Sequence, residues 1–219
     1  MGKLHDAIVA RLAAELEART AWDEPPALYR LGLRSKQARL VDAEVPLDIW
    51  ALARPPEVLD RLAGYMANQG WPLPGGLPPG WELHGMACRH EGWWVDVEMA
   101  DRPAAKYTAA MAAEHRLADH PARVEIRMMY AVDRAGITYS STLYRDQAEA
   151  ETMIAYPTGR AVVHGPRVEE AMGGSDHLSV QPTGAVVEAL DRMVTILTGA
   201  TLPPRASSYL EDHMRGGRT

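Results

Sequence analysis

Residues 123–145 constrain this chain more than any other stretch. Arg123–Asp133 and Gly136–Arg145 alternate with the period of two that a strand imposes. Arg134-Ala135-Gly136 joins them, with glycine where a three-residue hairpin loop needs a left-handed residue. That register sets Glu125 opposite Arg145, a favourable cross-strand pair. It sends Val124, Ile126, Met128, Tyr130 and Val132 to one side and Met129, Ala131, Ile137, Tyr139 and Leu143 to the other. Both sides are apolar. A hairpin bathed on one side shows a polar face there, so this one has to be covered twice, by a helix, another layer or a partner chain.

The rest of the chain supplies candidates for the cover. Leu4, Ile8, Leu12 and Leu16 recur every four residues and predict a helix over 3–20. Val58, Leu59, Leu62 and Met66 predict another over 56–68, with Pro55-Pro56 at its start, where helices tolerate proline. Residues 103–119 are Ala-rich and read as helical, with Tyr107, Met111 and Leu117 as a stripe and His120-Pro121 as the stop. Ala185–Thr198 carries Val186, Leu190, Val194 and Leu197 on one side, and Gly199 stands just past its end.

Strands fill the intervals. Tyr29, Leu31 and Leu33 alternate with arginine, Ser35-Lys36-Gln37 turns the chain, and Arg39–Val45 returns it. Trp81–His90 and Trp93–Met99 read as a hairpin turning at Glu91-Gly92. In that register Cys88 faces Val95 and Arg89 faces Trp94. Trp93 joins Met86 and Cys88 on a core face, and Trp94 joins Arg89, Asp96 and Glu98 on a half-polar one. Short strands are expected near Met153–Tyr156 and Arg160–Val163. Gly70–Gly80, with four prolines and four glycines, forms no regular element and reads as a loop, linker or lid.

The fold class that follows is α+β, a mostly antiparallel sheet of hairpins with interleaved helices packed on it. Residues 1–199 read as a single composite domain, with a sub-boundary at 70–80 and a C-terminal tail at 200–219. Pro25-Pro26-Ala27-Leu28-Tyr29 and Pro78-Pro79-Gly80-Trp81 point to an internal duplication of a helix–hairpin unit.

Composition narrows function by exclusion. The 219 residues hold 23 basic and 29 acidic side chains, a net charge of −6, with no basic stripe, which argues against nucleic acid as a partner. No window reaches the roughly 18 apolar residues of a membrane span. The lone cysteine, Cys88, fits a reducing cytoplasm.

Known chemical motifs are missing: no phosphate-cradling glycine loop, no G-x-S-x-G, no C-x-x-C, no H-E-x-x-H. His84 and His90 are about 20 Å apart along a strand, too far to share an ion, and Cys88 reads as core, so no metal and no cofactor is expected. Asp96 and Glu98, with His90 near, are the candidate catalytic groups, because paired carboxylates beside an apolar wall can split their pKa values. The same carboxylates with Arg89 and Trp94 also make an ordinary surface cluster. Asp176-His177 near Glu169-Glu170 is a second acid/base candidate. Trp71, Trp94 and Arg89 have the look of interface anchors, and Met129, Ile137, Tyr139 and Leu143 form an apolar face available to a partner.

Trp22-Asp23-Glu24-Pro25-Pro26-Ala27-Leu28-Tyr29 and Arg123–Tyr139 resemble segments of a set of uncharacterised actinobacterial proteins. The resemblance implies a high-GC bacterial source and carries no activity and no functional residues. The expectation is a non-catalytic cytoplasmic module that binds a protein partner or itself, as a dimer. The alternative is a small-molecule sensor or enzyme with a pocket between sheet and helices near the 70–80 loop.

Overall fold

In a computed structural model of the protein, the described residues are 3–69, 76–95, 110–111, 114, 116–157, 161–164 and 185–199. Seven strands form one antiparallel sheet: β1 (Ala27–Arg34), β2 (Gln37–Asp42), β3 (Glu82–Trp94), β4 (Val124–Asp133), β5 (Thr138–Tyr144), β6 (Glu151–Ala155) and β7 (Ala161–His164). Their spatial order is β2-β1-β3-β4-β5-β6-β7, so each strand lies beside its predecessor except β3, which pairs with β1 instead of β2.

Helices close both sheet faces. On one side lies α1 (Lys3–Glu17), whose Ile8, Leu12 and Leu16 are fully buried against Leu31, Ala87, Met129, Ala131, Tyr139, Leu143 and Ile154. On the other lie α2 (Leu47–Trp50), α3 (Pro55–Gln69) and α4 (Ala185–Thr198), over Leu28, Met86, Cys88 and Val132. Apolar burial on both faces drives this three-layer packing. Gly199, at φ 66°, ends α4 in the left-handed conformation that glycine adopts without strain.

The 123–145 hairpin has the expected register. Val132 pairs with Thr138, Gly136 takes φ 76°, and Arg145 N donates to Glu125 O at 3.0 Å while the two side chains form an ion pair. Its two apolar sides are covered by α1 and α4 of the same chain. Met129, Tyr139 and Leu143 are therefore core, with Ile137 packed at the margin of the same cluster, and none offers a bare face to a partner.

Two sequence expectations are corrected. Glu91-Gly92 is not a turn: β3 runs straight through it for 13 residues, with Glu91 opposite Arg127 and Gly92 opposite Ile126. Trp93 consequently pairs with Glu125, leaves the Met86–Cys88 face, and is 38 % exposed rather than core. The expected duplication is not shown, since β3 is a single strand where the second hairpin was expected. The helix expected over 103–119 falls mostly outside the described residues; Ala110 and Met111 are helical and Leu117–Asp119 is one 3-10 turn. Of Gly70–Gly80, residues 76–80 are described, and Leu77 packs on Gly32 of β1 so closely that a Cβ there would come within 2.7 Å.

Candidate ligand cavity beside Arg89

β2 stops at Asp42, opposite Tyr29, while β1 reaches back to Ala27. The chain leaves the sheet there through 43–46 and turns into α2. A cavity of about 150 Å³ occupies this corner. Pro25, Pro26, Ala27 and Leu28 form one wall, Val45, Leu47 and Trp50 a second, and Arg19, Asp42 and Arg89 supply the charges.

Arg89 reaches the corner from β3, where it pairs with Ala27. It is 3 % exposed. Nη2 donates to Pro25 O at 3.1 Å. Nη1 is ion-paired with Glu24 Oε2 at 3.1 Å, and Nε, shielded from solvent, makes no hydrogen bond. A buried guanidinium with an idle donor bears a desolvation cost that a fully hydrogen-bonded one escapes.

Arg89 ends a ladder of alternating charge. Arg11 Nη2 meets Glu15 Oε2 at 2.9 Å, Glu15 Oε1 meets Arg19 Nη2 at 3.0 Å, and Arg19 Nη1 meets Glu24 Oε2 at 2.9 Å, the carboxylate that also faces Arg89. The first two contacts follow from i, i+4 spacing on and just past α1. Hydrogen bonding to Glu15 pushes the Arg19 pKa upward. Burial does the same for Tyr29, whose hydroxyl donates to Glu15 Oε1 at 3.3 Å. Asp42 is engaged elsewhere, accepting Glu44 N–H at 2.6 Å.

A second charged centre anchors the segment leading to the cavity. Arg127 is fully buried. Its Nε and Nη2 donate to Glu91 Oε1 at 2.9 and 2.7 Å, Nη1 donates to Arg19 O at 3.0 Å, and Nη2 also reaches Ala21 O. The guanidinium carbon stands 4.7 Å from the Trp22 ring, with Arg145 at 5.5 Å from the same ring. Glu91 Oε2 accepts Asp23 N–H at 2.7 Å, holding Asp23 at φ 64°. Asp23, Glu91 and Glu125 bring carboxylates within 4.8 Å of one another, a spacing that could hold a cation. Arg127 and Arg145 already balance Glu91 and Glu125.

At the opposite end of the strands, Asp133 Oδ1 accepts Ala135 and Ile137 N–H, and Oδ2 accepts the Tyr139 hydroxyl at 2.9 Å. His84, the extra residue where the β1–β3 register shifts, places Nε2 3.4 Å from the same oxygen. His5 Nδ1 is 2.8 Å from the Tyr139 hydroxyl and its ring stacks on Tyr139. Burial alone would raise the Asp133 pKa; bonds from His84, Ile137 N–H and Tyr139 overcome it and hold the carboxyl below its ordinary value.

Of the residues singled out from sequence, Arg89 is at the cavity, as a buried side chain rather than a surface anchor. His90 lies on the other face, stacked on Tyr130 at 5.9 Å, and burial lowers its pKa. Trp94 is 45 % exposed at the end of β3. Trp71, Asp96, Glu98, Glu169, Glu170, Asp176 and His177 lie outside the described residues. The cavity is not formed by residues 76–80, near which a pocket was expected. Sequence reasoning missed Arg19, Glu24 and Trp50. Arg11-x3-Glu15-x3-Arg19 was the available signal for the ladder.

No helix among the described residues is long and apolar enough to cross a membrane. Compared with known proteins, the chain matches no family model, no curated protein and no solved structure.

Proposed function

We propose that this protein is a non-catalytic binding module that receives a small molecule in the cavity beside Arg89. One observation carries the reading: the Arg89 guanidinium, 3 % exposed and ion-paired with Glu24, lines a half-open corner of about 150 Å³ between apolar walls. Cavities with apolar walls and a few convergent polar groups are the usual form of a small-molecule site. The main support for a protein partner is the two-sided apolar hairpin, and α1 occupies the face that a partner would need.

The test is a two-dimensional NMR screen of the full chain against compounds of about six heavy atoms, the size a cavity of this volume accepts. Binders should shift amides of residues 27–28, 42–50 and 89 together. A screen in which no compound moves these amides removes the proposal.

A second reading keeps the protein partner but moves it. Trp93 and Trp94 are 38 and 45 % exposed, and Trp93 borders an open groove of about 530 Å³ with Arg123 5.2 Å from its ring. Exposed tryptophan beside arginine is a common hot-spot composition. Sedimentation of wild type and Trp94→Ser should then show self-association that the substitution weakens; a wild type that stays monomeric at high micromolar concentration rejects self-association through this face.

A further inference from the structure

We propose that the outer edge of β2 docks an acidic, extended segment of another protein, which adds to the sheet as a further strand. The proposal is independent of the cavity beside Arg89. Free backbone groups and a set of unpaired cations carry it.

β2 stands at one end of the strand order, so its outer edge faces no other strand. Ser35-Lys36 is a two-residue turn, and Arg34 and Gln37 close it as a hydrogen-bonded pair. Alternation then turns the backbone groups of Gln37, Arg39 and Val41 toward β1. Ala43 N–H continues the pattern, donating to Leu28 O at 2.8 Å. Ala38, Leu40 and Asp42 turn theirs outward. Asp42 O accepts Arg30 Nη1 at 3.4 Å. Among the described residues, nothing bonds the outward amides and carbonyls of Ala38 and Leu40. A strand laid alongside would satisfy them together.

The side chains around this edge choose the partner's charge. No Asp or Glu lies between Glu24 and Asp42, whereas Arg30, Arg34, Lys36 and Arg39 all fall in that interval, in a chain of net charge −6. Arg30 is turned inward, 6 % exposed. Arg34, Lys36 and Arg39 are exposed and enter no ion pair among the described residues. Arg39 stands opposite Gly32, its guanidinium carbon 5.8 Å from the Trp81 ring, and Arg34 lies diagonally across from it on the same face. The other face of β2 presents Ala38 and Leu40, which belong to the cluster beneath α1. A partner strand therefore fits when acids alternate with apolar residues: acids opposite Gln37 and Arg39, an apolar residue opposite Leu40. Asp42 shares the Leu40 face and repels an acid placed there.

A second copy of the chain fits poorly. Pairing β2 with β2 about a two-fold axis at Leu40 sets the two Arg39 side chains diagonally across from each other, within reach of like-charge repulsion. Nucleic acid has no peptide groups to match those of Ala38 and Leu40.

The test titrates the full chain with the peptide acetyl-Thr-Glu-Val-Glu-Val-Glu-Thr-amide, and with versions carrying Gln or Lys in place of Glu. Amide shifts and amide hydrogen exchange are the readouts. In the free protein the Ala38 and Leu40 amides should exchange faster than those of Arg39 and Val41. The acidic peptide should protect them and shift amides 37–41. It should bind about ten-fold more tightly than the Gln version, the effect of two cross-strand charge pairs, and the Lys version should not bind. Arg39→Glu, a change at an exposed side chain, should abolish the preference for Glu over Gln. Equal binding of the Glu and Gln peptides to wild type overturns the acidic partner. Shifts without protection of Ala38 and Leu40 overturn strand addition. Single-stranded DNA binding at these amides as tightly as the acidic peptide overturns the assignment to a protein. No saturable binding by any of these at millimolar concentration overturns the proposal as a whole, and leaves the cavity, read at 27–28, 42–50 and 89, untouched.

Discussion

Glu91 and Arg127 stand opposite each other in the β3–β4 ladder, and the carboxylate accepts two hydrogen bonds from the guanidinium at 2.9 and 2.7 Å. The same guanidinium holds Arg19 O and Ala21 O and lies over Trp22. This pair keeps β3 straight where Glu-Gly would by itself suit a turn. It also ties down the segment that carries Glu24 and Pro25 to the cavity.

Removing the acid should be costly. Glu91→Ala leaves Arg127 buried with only carbonyl and ring partners. Breaking a buried pair by deleting one member typically costs about 3–5 kcal/mol; the retained carbonyls put this case near the lower end. The double substitution Glu91→Leu with Arg127→Met should recover much of the loss. Urea unfolding of both variants checks this, and a Glu91→Ala protein within about 1 kcal/mol of wild type contradicts it.

Two glycines should respond unequally to alanine. A Cβ at Gly85 would sit 2.2 Å from Val132 O, so β3 and β4 would have to part. A Cβ at Gly32 would meet Leu77 Cδ2 at 2.7 Å, the end of a side chain that can rotate. Gly85→Ala should cost more than about 3 kcal/mol and Gly32→Ala about 1. Thermal melts giving the reverse order would contradict the β3–β4 spacing.

Stability should fall in two steps on acidification. His90 has a folded-state pKa below 6.5, lowered by burial. The unfolded chain therefore takes up that proton first, so its contribution is complete above about pH 6.5 and is lost as pH falls through the folded value. Asp133 is likewise depressed below about 3.8, so its contribution is complete above that pH and is lost lower still. Denaturant midpoints measured from pH 2 to 8 should show both limbs. His90→Phe should flatten the upper one and Asp133→Asn the lower one.

Cys88 should be inert in the folded protein. It is fully buried, and burial pushes its thiol up to about 12, so almost no thiolate exists at pH 8. Ellman's reagent should label it at the rate of structural opening, and immediately in urea. Rapid labelling of the native protein would place the thiol at the surface.

The legible parts of the fold were those fixed by neighbours in sequence. Gly136 and the alternation around it set the register of β4 and β5, and the Val186–Leu197 stripe with Gly199 set α4. β3 was illegible because Glu91-Gly92 is a good local turn; what overrides it is pairing with β1 and β4, set by residues far away. Arg127 was a signal in plain view, a charge in the row of Met129 and Ala131, where an apolar residue is expected. The cavity assembles from residues between 19 and 89 that no spacing connects. Within it, only the 11–15–19 steps of the ladder have a helical period. Arg89 was visible but assigned to a surface, an error that follows from the false turn.

The seat of α1 has a consequence for synthesis. The helix is made before every strand it covers, and it packs on β2, β4, β5 and β6. When the β1–β2 hairpin has emerged from the ribosome, α1 has only that margin of its seat to bind. Ile8, Leu12 and Leu16 stay without most of their partners until the chain has been extended through residue 155. The nascent protein thus carries an exposed apolar helix until β6 has been made. That interval, rather than the finished fold, is where this chain is most open to aggregation and to chaperones.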